Sequence, residues 1–205
     1  MNKELWLRRA KELGIDELEI YEQLSVSRSL SWFEGKTDTF TTSRVLGISL
    51  RAIADGKQAE MALEQADDET MDEILGSLRE QAKAVSSSDV SALRAPEETE
   101  EVKSKKHFVK PSVEAIQEAL GEIEKKVLAY DPRIIQMGAA EWVEESTVRR
   151  ITNSLGLHVE EEGCYQFLFA EAAAMDGEEV KTAYKVEIVE DLADYDRDLF
   201  EETFG

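Results

Sequence analysis

The stretch Leu46-Gly47-Ile48-Ser49-Leu50-Arg51-Ala52-Ile53-Ala54-Asp55-Gly56-Lys57-Gln58-Ala59-Glu60-Met61-Ala62-Leu63 decides the fold class. Leu46, Ile48, Leu50, Ala52 and Ala54 alternate with Gly47, Ser49, Arg51 and Ile53. That period of two marks a half-buried β-strand. Asp55-Gly56 follows, and Asp-Gly between two extended runs signals a hairpin. Ala59, Met61 and Leu63 resume the alternation on the returning strand. The stretch predicts a scaffold and names no reaction.

Upstream, Trp6, Ala10 and Leu13, widened by Leu5 and Leu7, predict an opening helix closed by Gly14. Leu18, Ile20 and Tyr21 lead into a strand in which Val26, Leu30 and Trp32 alternate with Ser27, Ser29 and Ser31. Glu34-Gly35-Lys36 reads as a turn, and the Thr/Ser-rich run 37–44 with Phe40 reads as an exposed strand. Downstream, Asp67 or Asp68 is the expected cap of a second helix with the stripe Met71, Ile74, Leu75, Leu78 and Ala82.

Residues 86–111 show no sustained period and read as an exposed connector. The clearest helix follows: Val113, Ile116, Leu120, Ile123 and Val127 share one face, Ser112 caps it and Asp131-Pro132 ends it. A second set of strands is expected at Ile134–Met137, Ala140–Val143 and Thr147–Thr152, then around Tyr165, Phe167 and Phe169. After Asp176-Gly177, a last strand has Val180, Thr182, Tyr184, Val186 and Ile188 on one face. Leu192, Tyr195 and Leu199 predict a closing helix from Asp191, with an apolar face running to Phe204 that needs a neighbour. Helix, antiparallel strands with an Asp-Gly hairpin, and helix thus occur twice. This predicts an α+β fold of two similar helix–antiparallel-sheet–helix units, a structural duplication, at 1–85 and 112–205.

Composition narrows the function classes. The chain has 205 residues, 42% hydrophobic and 34% charged, which suits a globular protein able to bury its own core. Its one cysteine, Cys164, allows no intrachain disulfide and points to the cytoplasm. The first residues lack the apolar core of a signal peptide, and no run is apolar enough to span a membrane. A net charge of −21 argues against direct binding of nucleic acid through phosphates.

Three groups of residues are chemical candidates. His158, Glu160, Glu162 and Cys164 would share one face of a strand, with Glu161 between them, and all are donor types that zinc accepts. The alternative is a charged strand end leading to the turn at Glu162-Gly163. Arg51, on the polar face of an otherwise apolar strand, is suited to clamp a carboxylate such as a peptide C-terminus, or to pair with an acid on a neighbouring strand. The Ser/Thr-rich strands 26–31 and 37–43 can offer an edge to an extended peptide. No carboxylate pair stands out for acid–base work, Cys164 and His158 are too far apart along one strand for nucleophilic catalysis, and Gly47, Gly56 and Gly156 form no phosphate loop.

Three motifs in order carry a family resemblance. The run Val45–Ile53 followed by Asp55-Gly56-Lys57 resembles a G-h-x-h-R-h…D-G-[KR] stretch of the TldD/PmbA family (h is apolar). Trp32-Phe33-Glu34-Gly35-Lys36 resembles its upstream G-[KR] turn, and Ile151-Thr152-Asn153-Ser154-Leu155-Gly156 its [IV]-x-N-S-x-G turn. The resemblance runs from about Ile15 to Ile188. Members were first named as candidate modulators of DNA gyrase and are viewed as peptidases or peptidase subunits. They are about twice this length, and in the TldD branch a zinc motif lies in the C-terminal half. His107 and His158 match no such motif, so the resemblance carries over no catalytic residue and places the catalytic half outside this chain. It implies a non-catalytic N-terminal domain that guides extended peptide to zinc held elsewhere, with no cofactor of its own. It also implies a homodimer, or a heterodimer with a family paralogue, acting on peptide or protein. The alternative is a stand-alone α+β interaction module that has lost the catalytic half.

Overall fold

The computed structural model describes residues 1–86, 91–96 and 108–196. The elements are α1 (Lys3–Glu12), β1 (Glu17–Phe33), β2 (Lys36–Ala54), β3 (Lys57–Leu63), α2 (Met71–Ala84), α3 (Val113–Tyr130), β4 (Ile134–Asn153), β5 (His158–Asp176) and β6 (Glu179–Ile188). The fold is α+β: the strands form one antiparallel sheet in the order β3-β2-β1-β4-β5-β6.

The chain clusters into two compact units: 1–25, 45–104 and 147–162 make the first, and 26–44, 105–146 and 163–205 the second. Neither is a consecutive half of the sequence, and β1, β2, β4 and β5 contribute residues to both. Strand length explains this. β1 has 17 residues and β4 has 20, and at roughly 3.3 Å per residue they run about 55–65 Å. A helix of 14 or 18 residues is only about 21–27 Å long. Each long strand therefore contributes residues to both units, and β1 enters both cores, with Leu18 and Ile20 in one and Leu30 in the other.

In the first unit, the buried stripe of α2 (Met71, Leu75, Leu78) and Trp6 and Ala10 of α1 pack on Leu18, Ile20, Ile48, Leu50 and Ala52. The β2–β3 register sets Ile48 opposite Leu63, Leu50 opposite Met61 and Ala52 opposite Ala59. Asp55 and Gly56 have φ of 53° and 71°, and Glu34 and Gly35 have 48° and 76°. Two successive positive φ angles match the right-handed strand twist of a tight hairpin, and glycine adopts them without strain. Leu46 departs from its predicted place on the buried face and is 46% exposed, because the helical layer reaches β2 only from Ile48 onward.

The cap of α2 also differs from expectation. Thr70 is the N-cap. The Asp68 carboxylate instead accepts the Asn2 amide at 2.9 Å and the Trp6 indole N–H at 2.7 Å. Asp67 uses its carbonyl to accept the Thr70 amide.

In the second unit, Ile116, Leu120, Ile123 and Val127 of α3 pack on Leu30 of β1, Met137, Ala140 and Trp142 of β4, and Leu168, Ala170 and Ala172 of β5. Ser112 caps α3, its hydroxyl accepting the Ala115 amide at 3.1 Å. Glu124 is buried and accepts the Trp32 indole N–H at 2.8 Å and the Gly35 amide at 3.0 Å, which anchors the first hairpin. The three predicted strand pieces from Ile134 to Thr152 are one strand. The predicted closing helix is a single 3-10 turn at Leu192–Asp194, with Leu199 and Phe204 outside the described residues. Most of the predicted connector, with His107, lies outside them too.

Candidate functional site

Arg51 lies opposite Glu60 in the β2–β3 register. Its guanidinium donates to Glu19 Oε1 at 2.5 Å, and Glu19 is buried. The pairing with a neighbouring strand's acid is therefore present, through one Nη of the guanidinium. Beside it, Tyr21, Gln23, Ser25, Val45, Gly47 and Ser49 line an open groove. Three of its polar side chains are bonded to each other: the Tyr21 hydroxyl donates to Gln23 at 2.7 Å, and the Gln23 amide to Ser25 at 3.3 Å.

Two of the four zinc candidates, His158 and Glu160, and their neighbour Glu161 sit in local pairs. The His158 ring nitrogen Nδ1 is 3.1 Å from the Thr152 hydroxyl, Glu160 accepts from Arg150 at 2.5 Å and Glu161 from Arg149 at 3.4 Å. Among the described residues, no group of three or more His, Cys, Asp or Glu side chains is placed to hold a metal ion. A catalytic zinc site needs three converging protein ligands. The donors present here do not fit one.

The Asn153 turn is structural. Its carboxamide oxygen accepts the Leu155 and Leu157 amides at 3.0 and 3.1 Å, while its NH2 donates to the Arg94 carbonyl at 2.9 Å. The Ser154 hydroxyl accepts the Leu18 amide at 3.0 Å, and Leu18 returns its carbonyl to the Ser154 amide at 2.9 Å. A buried Asn that satisfies three backbone groups explains the residue type without any ligand.

The Ser/Thr-rich hairpin of the second unit is likewise self-bonded, with Ser31 and Thr39 hydroxyls 2.6 Å apart and the Gln117 amide donating to Thr37 at 2.9 Å.

The surface that sequence reasoning missed is the face of β5 and β6 turned away from α3. Phe167 pairs with Ile188, Phe169 with Val186, Glu171 with Tyr184 and Met175 with Val180. Phe169 stacks on Tyr184, and Tyr165 on Phe167. The Tyr165 hydroxyl donates to Glu145 at 2.8 Å, and this bond to a carboxylate pushes its pKa up. Val180, Tyr184, Val186 and Ile188 are 58%, 67%, 44% and 74% exposed. The residues opposite Ala174, Ala170 and Leu168 on the α3 side are Lys181, Lys185 and Glu187. The period-two pattern was readable in the sequence, but nothing in it said that the apolar side is the exposed one among the described residues.

Two family models match the chain. The PmbA/TldA metallopeptidase domain 1 covers residues 18–82, and the PmbA/TldA metallopeptidase central domain covers residues 106–203. The chain belongs to the TldD/PmbA family. Solved structures with the same fold include a candidate DNA gyrase modulator from Thermotoga maritima, at 20% identity and a TM-score of 0.74, covering 98% of this chain and 45% of that one. TldE from Thermococcus kodakarensis follows at 21% identity and a TM-score of 0.78, covering 98% and 45%. A candidate DNA gyrase modulator from Bacteroides thetaiotaomicron has 14% identity and a TM-score of 0.82, covering 97% and 46%. This chain thus spans less than half the length of these family structures. No curated protein matches it.

Proposed function

We propose that this chain is a non-catalytic region of a TldD/PmbA-type metallopeptidase, serving assembly and the guiding of extended peptide to a zinc site outside these residues. The observation that carries the reading is the joint match to domain 1 and the central domain. The sheet ends in two edge strands, β3 and β6, and an edge strand is a template for an extended backbone. Helix followed by three antiparallel strands occurs at α1-β1-β2-β3 and again at α3-β4-β5-β6, which supports reading the two domains as repeats of one plan.

The test pairs an unfolded, fluorogenic peptide substrate with this chain alone, with a zinc-loaded TldD-branch subunit alone, and with both. The expected result is no cleavage by this chain, a stoichiometric complex on mixing, and a changed rate or cleavage pattern in the complex. Chelator-sensitive cleavage by this chain alone would sink the reading, as would the absence of any complex.

A further inference from the structure

We propose that the face of β5 and β6 turned away from α3 is a docking platform for an arginine-bearing segment of a partner polypeptide, with the guanidinium on Tyr184 and against Glu171. The proposal requires neither zinc nor cleavage, so it stands apart from the peptidase reading.

The face is aromatic and apolar. Phe169 stacks on Tyr184 with ring centroids 6.1 Å apart, and Tyr165 on Phe167 at 6.2 Å. None of the four rings belongs to the core of its unit, and Tyr184 is largely exposed. Exposed apolar surface of this kind marks a contact site.

Charge decides the occupant. Along the β5–β6 register this face carries the carboxylate of Glu171 and no lysine or arginine, because Lys181 and Lys185 lie on the other face, against Ala174 and Ala170. Among the described residues Glu171 has neither a hydrogen bond nor an ion pair. It lies beside Gly138 of β4, where an added β-carbon would come within 3.2 Å of its Oε1. Glu171 is directly opposite Tyr184. Facing residues have β-carbons roughly 5 Å apart, and a cation within about 6 Å of a ring centroid is drawn to the ring face. One guanidinium can therefore touch the Tyr184 ring and the Glu171 carboxylate together. Arginine suits this better than lysine, since its planar group stacks on a ring while its fork meets both carboxylate oxygens. Phe167 and Phe169 face Ile188 and Val186, an apolar strip for the side chains that flank the arginine. The net charge of −21 draws a basic segment in and repels an acidic one. A second copy of this chain carries the same negative charge, so a basic partner is the better match.

The probe is an acetylated and amidated hexapeptide of alternating arginine and valine, titrated into the isotope-labelled chain and followed by the aromatic NMR signals of Tyr165 and Tyr184. The dissociation constant is expected on the order of 100 µM. Citrulline in place of arginine keeps the shape and removes the charge, and should weaken binding about tenfold or more, since it loses the ion pair and the ring contact together. Glu171→Gln and Tyr184→Ala each lose one of the two and should weaken it about fivefold. Lys185→Ala, on the opposite face, should leave binding unchanged. Each variant should keep the parent's unfolding midpoint, and the citrulline comparison needs no substitution in the protein at all. An arginine peptide that moves neither tyrosine overturns the proposal. So does a citrulline peptide that binds as tightly, or binding indifferent to Glu171→Gln and Tyr184→Ala. Tyrosine signals that shift on dilution without peptide would assign the face to a second copy of the chain, and would overturn it too.

Discussion

The two edges of the sheet are built from the same signals and end differently. β3 and β6 each return from a tight turn, and each alternates apolar with polar residues. Ala59, Met61 and Leu63 of β3 turn inward onto Ala52, Leu50 and Ile48, beneath α2. Its outward Gln58 donates to Glu60 at 3.0 Å. On β6 the apolar set is outside and the lysines are on the helix side. The difference lies in the supply of helix. Two helices cover the strands of the first core, whereas α3 covers β1, β4 and β5, and no β6 residue enters its core. Alternation thus reveals that a strand has two faces, and the helical layer decides which one is buried.

The largest effect that tests this contrast comes from one truncation on each side. Leu50 is fully buried in β2 against β3, so Leu50→Ala should cost about 2–5 kcal/mol, lost transfer energy and a cavity together. Ile188→Ala on β6, at a position 74% exposed, should change the stability of the monomer by no more than about 0.5 kcal/mol. Denaturant unfolding at low protein concentration measures both. Comparable losses would mean that the β6 face is covered within the monomer, and the contrast would collapse.

A smaller effect comes from the charged side chains beside the two edges. Arg51→Ala removes the partner of the buried Glu19 carboxylate, which should cost about 1–3 kcal/mol. Arg51→Lys should recover part of this, since an ammonium restores charge without the planar fork. Lys185→Ala on β6 should be close to neutral in the same assay. If Arg51→Ala is equally neutral, Glu19 is solvated in the absence of its partner and the pair is a surface feature.

Much of the fold was legible for identifiable reasons. The α3 stripe, the Ser112 cap and the Asp55-Gly56 hairpin are local, and their causes lie within a few residues. The Arg51 pairing was readable as an option because a lone cation on a strand needs an acid nearby. What was not legible depends on long-range geometry. The end of the helical layer at Ile48 exposes Leu46, and Asp68 is drawn from its expected cap by Trp6 and Asn2, more than sixty positions away. The division of β1, β2, β4 and β5 between two units follows from strand length against helix length, and no local pattern encodes it. The apolar face of β6 was visible as a pattern, but its exposure follows from there being no helix packed over that strand among the described residues.

The smallest expected effect is in acid, and it compares one exposed carboxylate from each unit. Asp68 is held below its ordinary pKa of 3.8 by the Asn2 amide, then by the Trp6 indole. Asp131 is lowered to about 2 by the Arg133 side chain and then its amide. A carboxylate with a depressed folded pKa contributes stability that is fully present above its unfolded value and is lost as pH falls through its folded value. Thermal unfolding should therefore weaken from about pH 3.8 downward. Asp131→Asn should flatten the part of that slope between 3.8 and about 2, and Asp68→Asn should flatten it below 3.8 as well. The difference from the unsubstituted chain isolates each residue from the general titration of a protein with 45 acidic side chains. If Asp68→Asn flattens the slope and Asp131→Asn does not, the acid response belongs to the anchoring of α1 beside the β3 edge. The Asp131–Arg133 pair ahead of β4 would then be a solvated contact that adds nothing to its unit.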